Sequence, residues 1–583
     1  MAVLHDSKID TPTSTHSDIP QQGADLFFQA AIQYGYRYVL GNPGTTEAPF
    51  MDALVRYPEL RFVLCLHENS ATGAADGIAR MTGHPALVNL HLGPGLSNGL
   101  SNMHNARRAQ VPMVVTVGDH DTRHLLDDSP LASDIESIAR SECKWVWTVK
   151  DASEVAAALY RATVIAMTPP QGPVCLILST NVLTNSPRTI DGRVPQIPSL
   201  HIPTLGQAPG PDIERAAELL LAAHHPVILV GDIEQAAHEH IGILAERSNA
   251  RIVYDTFPRR LDGRVHEKST WLPYFAEERR AMLAQADLLF LAGVSSFTTL
   301  FFYANDPTPV VAPETHVIHL SDDLSALGKN ERGSFPLYGN VTDTLAHFVT
   351  SLEQQHGKVE RPEKGEAAES VPSQQDGASA TGAIHPVELM KALRHVLPAD
   401  TVLIDEAITA RQAMVEHVLN AGTPVTSYLA VRGASIGGGL PLAIGAKLGV
   451  PHRPIVVVSG DGSAMYTIQS LWTAAHYSLP ILFIICNNAS YDIIKLEMLR
   501  LKGTLASSNE TTLDAIAGLG GPQLNFVQLA QGMGVRGWTV QERAALMPNL
   551  KAALETTESG APALVDVHLS ALPVTALQKR YSQ

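Results

Sequence analysis

The chain has 583 residues, 45% of them apolar and 17% charged, and a formal net charge of −16. The apolar share can fill large cores, and the acidic balance argues against a nucleic-acid or anionic-membrane partner. The four cysteines (Cys65, Cys143, Cys175, Cys486) form no CxxC pair, the first twenty residues lack an apolar signal core, and no apolar run approaches a membrane span, so the expectation is a cytoplasmic protein with inert thiols.

Residues 1–21 read as a disordered tail. From 22 to 185 the runs "YVLG", "RFVLCLHE", "PALVNLHLG", "PMVVTVGD", "KWVWTV" and "PVCLILS" alternate with helical patterns. Such alternation predicts a parallel α/β sheet. Residues 186–211 are Pro-rich and read as a linker. A second α/β block, 212–352, carries "HPVILVG", "ARIVYD", "ADLLFLAG" and "THVIHLSD". Residues 353–383 have the composition of another linker. The third block, 384–575, includes "TVLIDE", "PIVVVSG", "ILFIIC" and "ALVDVHLS", and a short tail, 576–583, follows. The predicted fold class is α/β, with three doubly wound parallel-sheet domains.

In the third block "PIVVVSGDGS" is a strand ending in a Gly-flanked acid, "TIQSLWTAAH" reads as a helix, and "ILFIICNNASYD" is the next strand and turn. This is a βαβ unit, and ligands of such sheets lie beyond the carboxyl ends of the strands. Asp461 and the pair Asn487/Asn488 are therefore aimed at one crevice. Their oxygens suit Mg²⁺, which brings a phosphate with it, while a surface turn is the alternative. In the first block three strand ends converge in the same way. "GNPGTTEAPF" brings Thr45 and Thr46, "LHENSATGAADG" brings Glu68, and "NLHLGPGLSNG" brings His91. Glu68 is either a helix N-terminal partner or a buried functional acid. The "HEH" of His238, Glu239 and His240 is a weak metal signal, because helix neighbours two apart do not share a face.

Taken in order, "GNPGTTEAPF", "HENSATGAADGIAR", "LHLGPGLSNGLSNMHNARRAQVPMVVTVGD", "GASIGGGLPLAIGA" and "GDGS…NN" carry a resemblance. The chain resembles the thiamine-diphosphate (ThDP) enzymes of the acetolactate synthase and benzoylformate decarboxylase branch, over residues 22–575. The resemblance implies a pyrimidine-binding, a middle and a diphosphate-binding domain. It implies that Glu68 meets N1′ of the aminopyrimidine and is catalytic. It implies Mg²⁺ on Asp461, Asn488 and the Ser490 carbonyl, and diphosphate on Gly462, Ser463 and Thr409. The Ala434 carbonyl would accept from the 4′-amino group, and Ile436 would be the apolar wedge under the bent cofactor. The implied reaction is decarboxylation of a 2-oxo acid to an enamine, which then attacks a second carbonyl.

The residues around the substrate set this chain apart. Thr45 stands where benzoylformate decarboxylases have a serine, and His91 matches a pocket histidine of that branch. The middle-domain stretch "AGVSSFTTLFFYANDP" has no histidine where the branch has its second one. That absence leaves His91 and His120 as the candidate proton donors, and Asp119-His120 stands where acetolactate synthases have a Gly-Gln pattern. "YDIIKLEMLRLKG" would cap the pocket, with Ile494, Leu496 and Met498 as an apolar wall. The expected function is a ThDP- and Mg²⁺-dependent carboligase on a 2-oxo acid, with an aldehyde or second oxo acid as acceptor. A simple 2-oxo acid decarboxylase is the alternative. A catalytically silent partner subunit is another, opposed by the presence of Glu68, Asp461 and Asn488. FAD is not expected, because the middle domain lacks a GxGxxG run and an arginine-rich flavin signature. A homodimer or homotetramer with sites between subunits completes the expectation.

Overall fold

The computed structural model describes residues 21–263, 265–266, 269–295, 297–299, 308–331, 333–355, 383–420, 424–502 and 510–570. The first sheet holds β1 (Tyr38–Gly41), β2 (Arg61–Leu64), β3 (Leu87–His91), β4 (Met113–Asp119), β5 (Trp145–Thr148) and β6 (Pro173–Ser179). They lie in the order β2-β1-β3-β4-β6-β5, every pair parallel. β4 and β6 carry almost unbroken apolar runs because helices cover both faces of the sheet.

The next strands in the chain are β7 (Pro226–Val230), β8 (Arg251–Tyr254), β9 (Leu261–Asp262), β10 (Thr270–Trp271), β11 (Leu288–Ala292), β12 (His316–Ser321) and β13 (Phe335–Tyr338). All but β9 form a second parallel sheet, ordered β10-β8-β7-β11-β12-β13. The third sheet adds β14 (Thr401–Glu406), β15 (Val425–Ala430), β16 (Ile455–Gly460), β17 (Ile481–Asn487), β18 (Arg536–Val540) and β19 (Ala563–His568). Its order is β18-β19-β17-β16-β14-β15-β9. β9 leaves the middle block and pairs antiparallel with β15, the one departure from a purely parallel pattern.

Some expectations shift. The helix expected over "TIQSLWTAAH" starts only at Ser470 and runs to His476, and a separate short helix, Asp461–Met465, precedes that run. Helix Gly210–Ala222 begins inside the Pro-rich segment, and helix Val341–Gln355 runs into residues 353–355, given above to the second linker. Residues 1–20, 356–382 and 571–583, which hold most of both tails and of that linker, lie outside the described residues. Among the described residues no helix is long and apolar enough to cross a membrane.

The first and third blocks are joined by helix Glu68–Thr82 lying on helix Gly439–Gly449. A Cβ on Gly77 would stand 2.2 Å from the Leu442 carbonyl oxygen, and one on Gly445 would stand 1.8 Å from that of Ala74. Only glycine permits this approach. The middle block meets the third at Arg411. Its guanidinium is buried, pairs with Asp405 at 3.1 Å, and lies within 6 Å of the rings of Phe257, Trp271 and Tyr274.

Candidate active site

The carboxyl ends of β2, β1, β3 and β4 are adjacent and open one crevice. His67 caps the helix after β2, its Nδ1 accepting the Asn69 N–H at 3.1 Å. The capping task is therefore taken, and the buried Glu68 carboxylate is held from the helix Leu92–Arg108 and from the loop after β1. It accepts from Asn98 Nδ2 at 3.1 Å and from Asn42 Nδ2 at 3.5 Å.

At the next strand end the His91 ring meets Glu47, a residue the sequence reading passed over. His91 Nδ1 lies 2.7 Å from Glu47 Oε2 and 3.1 Å from Thr46 Oγ1. Glu47 is buried and also accepts from the Gly44 N–H and the Thr46 hydroxyl, each at 2.8 Å. Gly44 and Gly118 make room: a Cβ would fall 2.2 Å from His91 Nδ1 and 1.8 Å from Glu47 Oε1, respectively. The missed signal was the acid three residues after Gly44, the spacing that ties a side chain back to a helix start. Thr45 is exposed. His120, after β4, is hydrogen-bonded to Ser129 Oγ at 2.7 Å and packs edge-on to His124. No hydrogen bond joins it to His91 or Glu68 among the described residues.

The second crevice lies beyond β17, β16 and β14. Asp461 opens the short helix after β16, and its Oδ1 accepts the Gly462 N–H at 2.8 Å. Its Oδ2 is buried with no donor in hydrogen-bond range. Burial, with the Asp492 charge adding to it, pushes the Asp461 carboxyl up to about 6; the amides of Gly462, Ala489 and Ser490 pull the other way. Asn487 and Asn488 take different partners here. Asn487 donates to Asp566 Oδ1 at 3.0 Å and accepts from the Ala489 N–H, which commits it to the strand end. Asn488 accepts from the Ser490 N–H at 3.1 Å and donates to Asp492 at 2.8 Å. A buried carboxylate oxygen without a donor, facing the turn Ala489–Ser490 that follows Asn488, offers hard oxygen of the kind that fits Mg²⁺. The Tyr491 ring covers Gly462 so closely that a Cβ there would lie 2.2 Å from it. Gly462 and Ser463 are both buried at this helix start.

Two further loops rim this crevice. Glu406, fully buried at the end of β14, accepts from the N–H groups of Gly437 and Gly438 at 2.8 and 2.9 Å, and from Ser459 Oγ at 2.9 Å. Burial holds its carboxyl above the ordinary range despite these donors. Thr409 sits half-buried in the turn after Ile408, and Ala434 and Ile436 lie in the loop after β15. Ile408 and Ala434 hold φ of 48° and 59°, a left-handed backbone that is costly for side-chain-bearing residues and concentrates at functional sites. Ile494 is exposed on helix Asp492–Lys502, whereas Leu496 is buried. The expected wall of three is thus reduced, since Ile494 and Met498 share a face that Leu496 does not. His238 stacks on His266 and meets Tyr254 OH at 3.1 Å, a packing role. Of the histidine-free stretch 292–307, residues 296 and 300–307 lie outside the described residues.

Two crevices lie at strand ends, one lined by the buried acids Glu47 and Glu68 and one around a helix start where Asp461 keeps an unmatched carboxylate oxygen. Residues 21–138, 213–348 and 407–567 match the families described as the N-terminal TPP binding, central and C-terminal TPP binding domains of thiamine pyrophosphate enzymes. The chain belongs to the thiamine diphosphate enzyme family. It is 34% identical over 556 residues to "Putative acetolactate synthase large subunit IlvX" of Mycobacterium tuberculosis, covering 94% of this chain and 99% of that protein. It is 28% identical over 562 residues to the benzoylformate decarboxylase of Pseudomonas aeruginosa, covering 93% and 97%. Two solved structures share its fold. One is the 4-hydroxybenzoylformate decarboxylase of Rhodococcus jostii, with a TM-score of 0.79 at 24% identity over 94% of this chain and 99% of that one. The other is the benzoylformate decarboxylase of Polynucleobacter necessarius, with a TM-score of 0.81 at 22% identity over 95% and 99%.

Proposed function

We propose that the protein is a ThDP- and Mg²⁺-dependent carboligase that decarboxylates a 2-oxo acid and joins the remaining fragment to a second carbonyl compound. The observation that carries this reading is the pairing of two buried carboxylates of opposite design. Glu68 is held by side-chain amides in the first crevice. Asp461 has an unmatched oxygen in the second. Bound ThDP supplies the nucleophile and the electron sink for loss of CO₂. Glu68 would hold a proton at the pyrimidine nitrogen. Asp461, Asn488 and the Ser490 carbonyl would hold Mg²⁺, while Gly462, Ser463 and Thr409 line the diphosphate. The Ala434 carbonyl would orient the 4′-amino group, and Ile436 would support the bend. Thr45, Thr46, His91 and Ile494 would face substrate, with His120 further out. We take the site to be shared between two copies of the chain.

A second reading has its own support. His91 is held by the buried Glu47 on the first domain, where it would be the group to hand a proton to the reacting carbon, and proton delivery is what a simple decarboxylase needs. The test is product partitioning with a panel of 2-oxo acids, with and without aldehyde acceptors, by mass spectrometry and CO₂ release. Acyloin or acetohydroxy-acid products support the carboligase. Free aldehyde as the sole product across the panel replaces it with the decarboxylase.

A further inference from the structure

In the middle sheet the chain order reverses between β7 and β11: β8 and β10 lie on one side, β11, β12 and β13 on the other. In open parallel sheets the ligand crevice lies at such a point, outside the carboxyl ends. Here the crevice receives a side chain from another domain. Arg432, two residues past β15, is buried, and its guanidinium reaches the ends of β7, β8 and β11 together. Nη1 donates to both oxygens of Asp232 at 3.2 Å and to the Phe257 carbonyl at 3.1 Å. Nη2 donates to Ser295 Oγ at 2.8 Å and lies 3.4 Å from Asp255. All these partners belong to the middle domain. Asp232 also takes the Arg259 N–H, and that segment runs beside β15, Ala430 N–H donating to the Pro258 carbonyl at 3.2 Å.

The residues that follow Arg432 form the loop with Ala434 and Ile436. That loop is held from all three domains. Asn105, of the first domain, donates to the Ser435 carbonyl at 2.8 Å and accepts its N–H at 3.2 Å. Glu406, of the third, takes Gly437 and Gly438. Arg432 supplies the hold from the middle domain. A planar fork bound on two sides fixes direction as well as distance, which an ammonium does not.

We infer that Arg432 is a positioning residue. It fills the ligand crevice of the middle sheet as an internal occupant and thereby fixes the loop 433–438, so that the middle domain sets ThDP affinity. This rests on the proposed roles of Ala434 and Ile436. The test uses the full chain carrying Asp232→Asn, Arg432→Lys or both. Hydrogen exchange across 431–438 is followed without cofactor, and ThDP affinity with Mg²⁺ is followed by calorimetry. Losing one buried charge-assisted contact should speed loop exchange and raise the ThDP Kd, each by about tenfold. The double variant should be no worse than the weaker-binding single one, because the two residues act as a unit. Asp232→Asn with exchange and Kd within twofold of wild type overturns the inference. So does exchange that rises throughout the chain rather than in this loop, which would mark a packing role, and so does faster loop exchange with unchanged ThDP affinity. Wild-type protein that binds no ThDP–Mg²⁺ would instead defeat the functional reading and its cofactor link, and the two failures are thereby told apart.

Discussion

Glu68 and Glu47 are both buried at neighbouring strand ends of one sheet, yet their surroundings divide them. Glu47 accepts from a backbone amide and a hydroxyl and is closed by His91, so its oxygens are committed. Among the described residues Glu68 accepts from two side-chain amides, one of them at 3.5 Å, which leaves it room for an incoming ring nitrogen. Glu68→Gln keeps the shape and should keep ThDP binding. It should slow proton exchange at the cofactor's reactive carbon by about 10²–10⁴-fold, the usual contribution of one acid–base group. Quenched-flow exchange read by NMR decides this, and a wild-type rate would return Glu68 to a packing role. Asp461→Ala removes the buried oxygen that lacks a donor. Mg²⁺ and ThDP affinity should fall together in calorimetry, because the anion loses its countercharge; ThDP binding that survives would reject the assignment. Glu68 and Asp461 were legible in the sequence because each is an acid at the end of an apolar run. Glu47 was not, since a Gly-Thr-Thr-Glu turn gives no hint that β3 delivers a histidine to it. That Asn487 is tied to Asp566, a neighbour from a distant strand, could not be read from the sequence either.

At the scale of elements, the helix that begins with Glu68 owes its position to glycines on both sides of one contact. Gly445 faces the Ala74 carbonyl with no space for a methyl group. Gly445→Ala should cost about 1–3 kcal/mol, as overpacking does, and should reduce turnover as well, because helix Glu68–Thr82 must shift with its first residue. Gly532→Ala is the control, since a Cβ there meets nothing within 4 Å. Chemical denaturation of both variants checks the claim, and equal stability would show the contact to be compliant. The apolar runs announced the strands of each sheet well, because buried parallel strands need little alternation. The edge strands β2 and β5 were announced by their runs, but several short strands were hidden. β9 and β10 have two residues each, and β13 carries Pro336, tolerated only because β13 closes its sheet. Positive φ at Leu92, Ile408, Ala434 and Ala489, all just past strand ends, was equally invisible, since none of them is glycine.

At the scale of the whole molecule, the three blocks are knitted by β9, by the Arg411 cage and by the paired helices, and the alternation of apolar runs had foretold three α/β units without these joints. What the chain leaves uncovered bears on assembly. Leu66, two residues before Glu68, is 44% exposed; Tyr466, just past the Asp461 helix, is 53% exposed; and Ile494 is 42% exposed. Large apolar side chains bare beside both crevices suit a surface closed by a second copy. If each site takes Glu68 from one copy and Asp461 from the other, two dead variants can repair one another. Glu68→Gln and Asp461→Ala are each inactive as pure dimers, since every site carries one defect. In a mixed dimer one site collects both defects and the other collects none. Unfolding and refolding an equimolar mixture makes half the dimers mixed, so about a quarter of wild-type turnover should return in a two-fold assembly. A site built within one chain gives no such recovery, because each chain carries its own defect into its own site. Turnover of the refolded mixture, compared with each variant refolded alone, therefore decides between the two arrangements, and a mixture no more active than its components would refute the shared site.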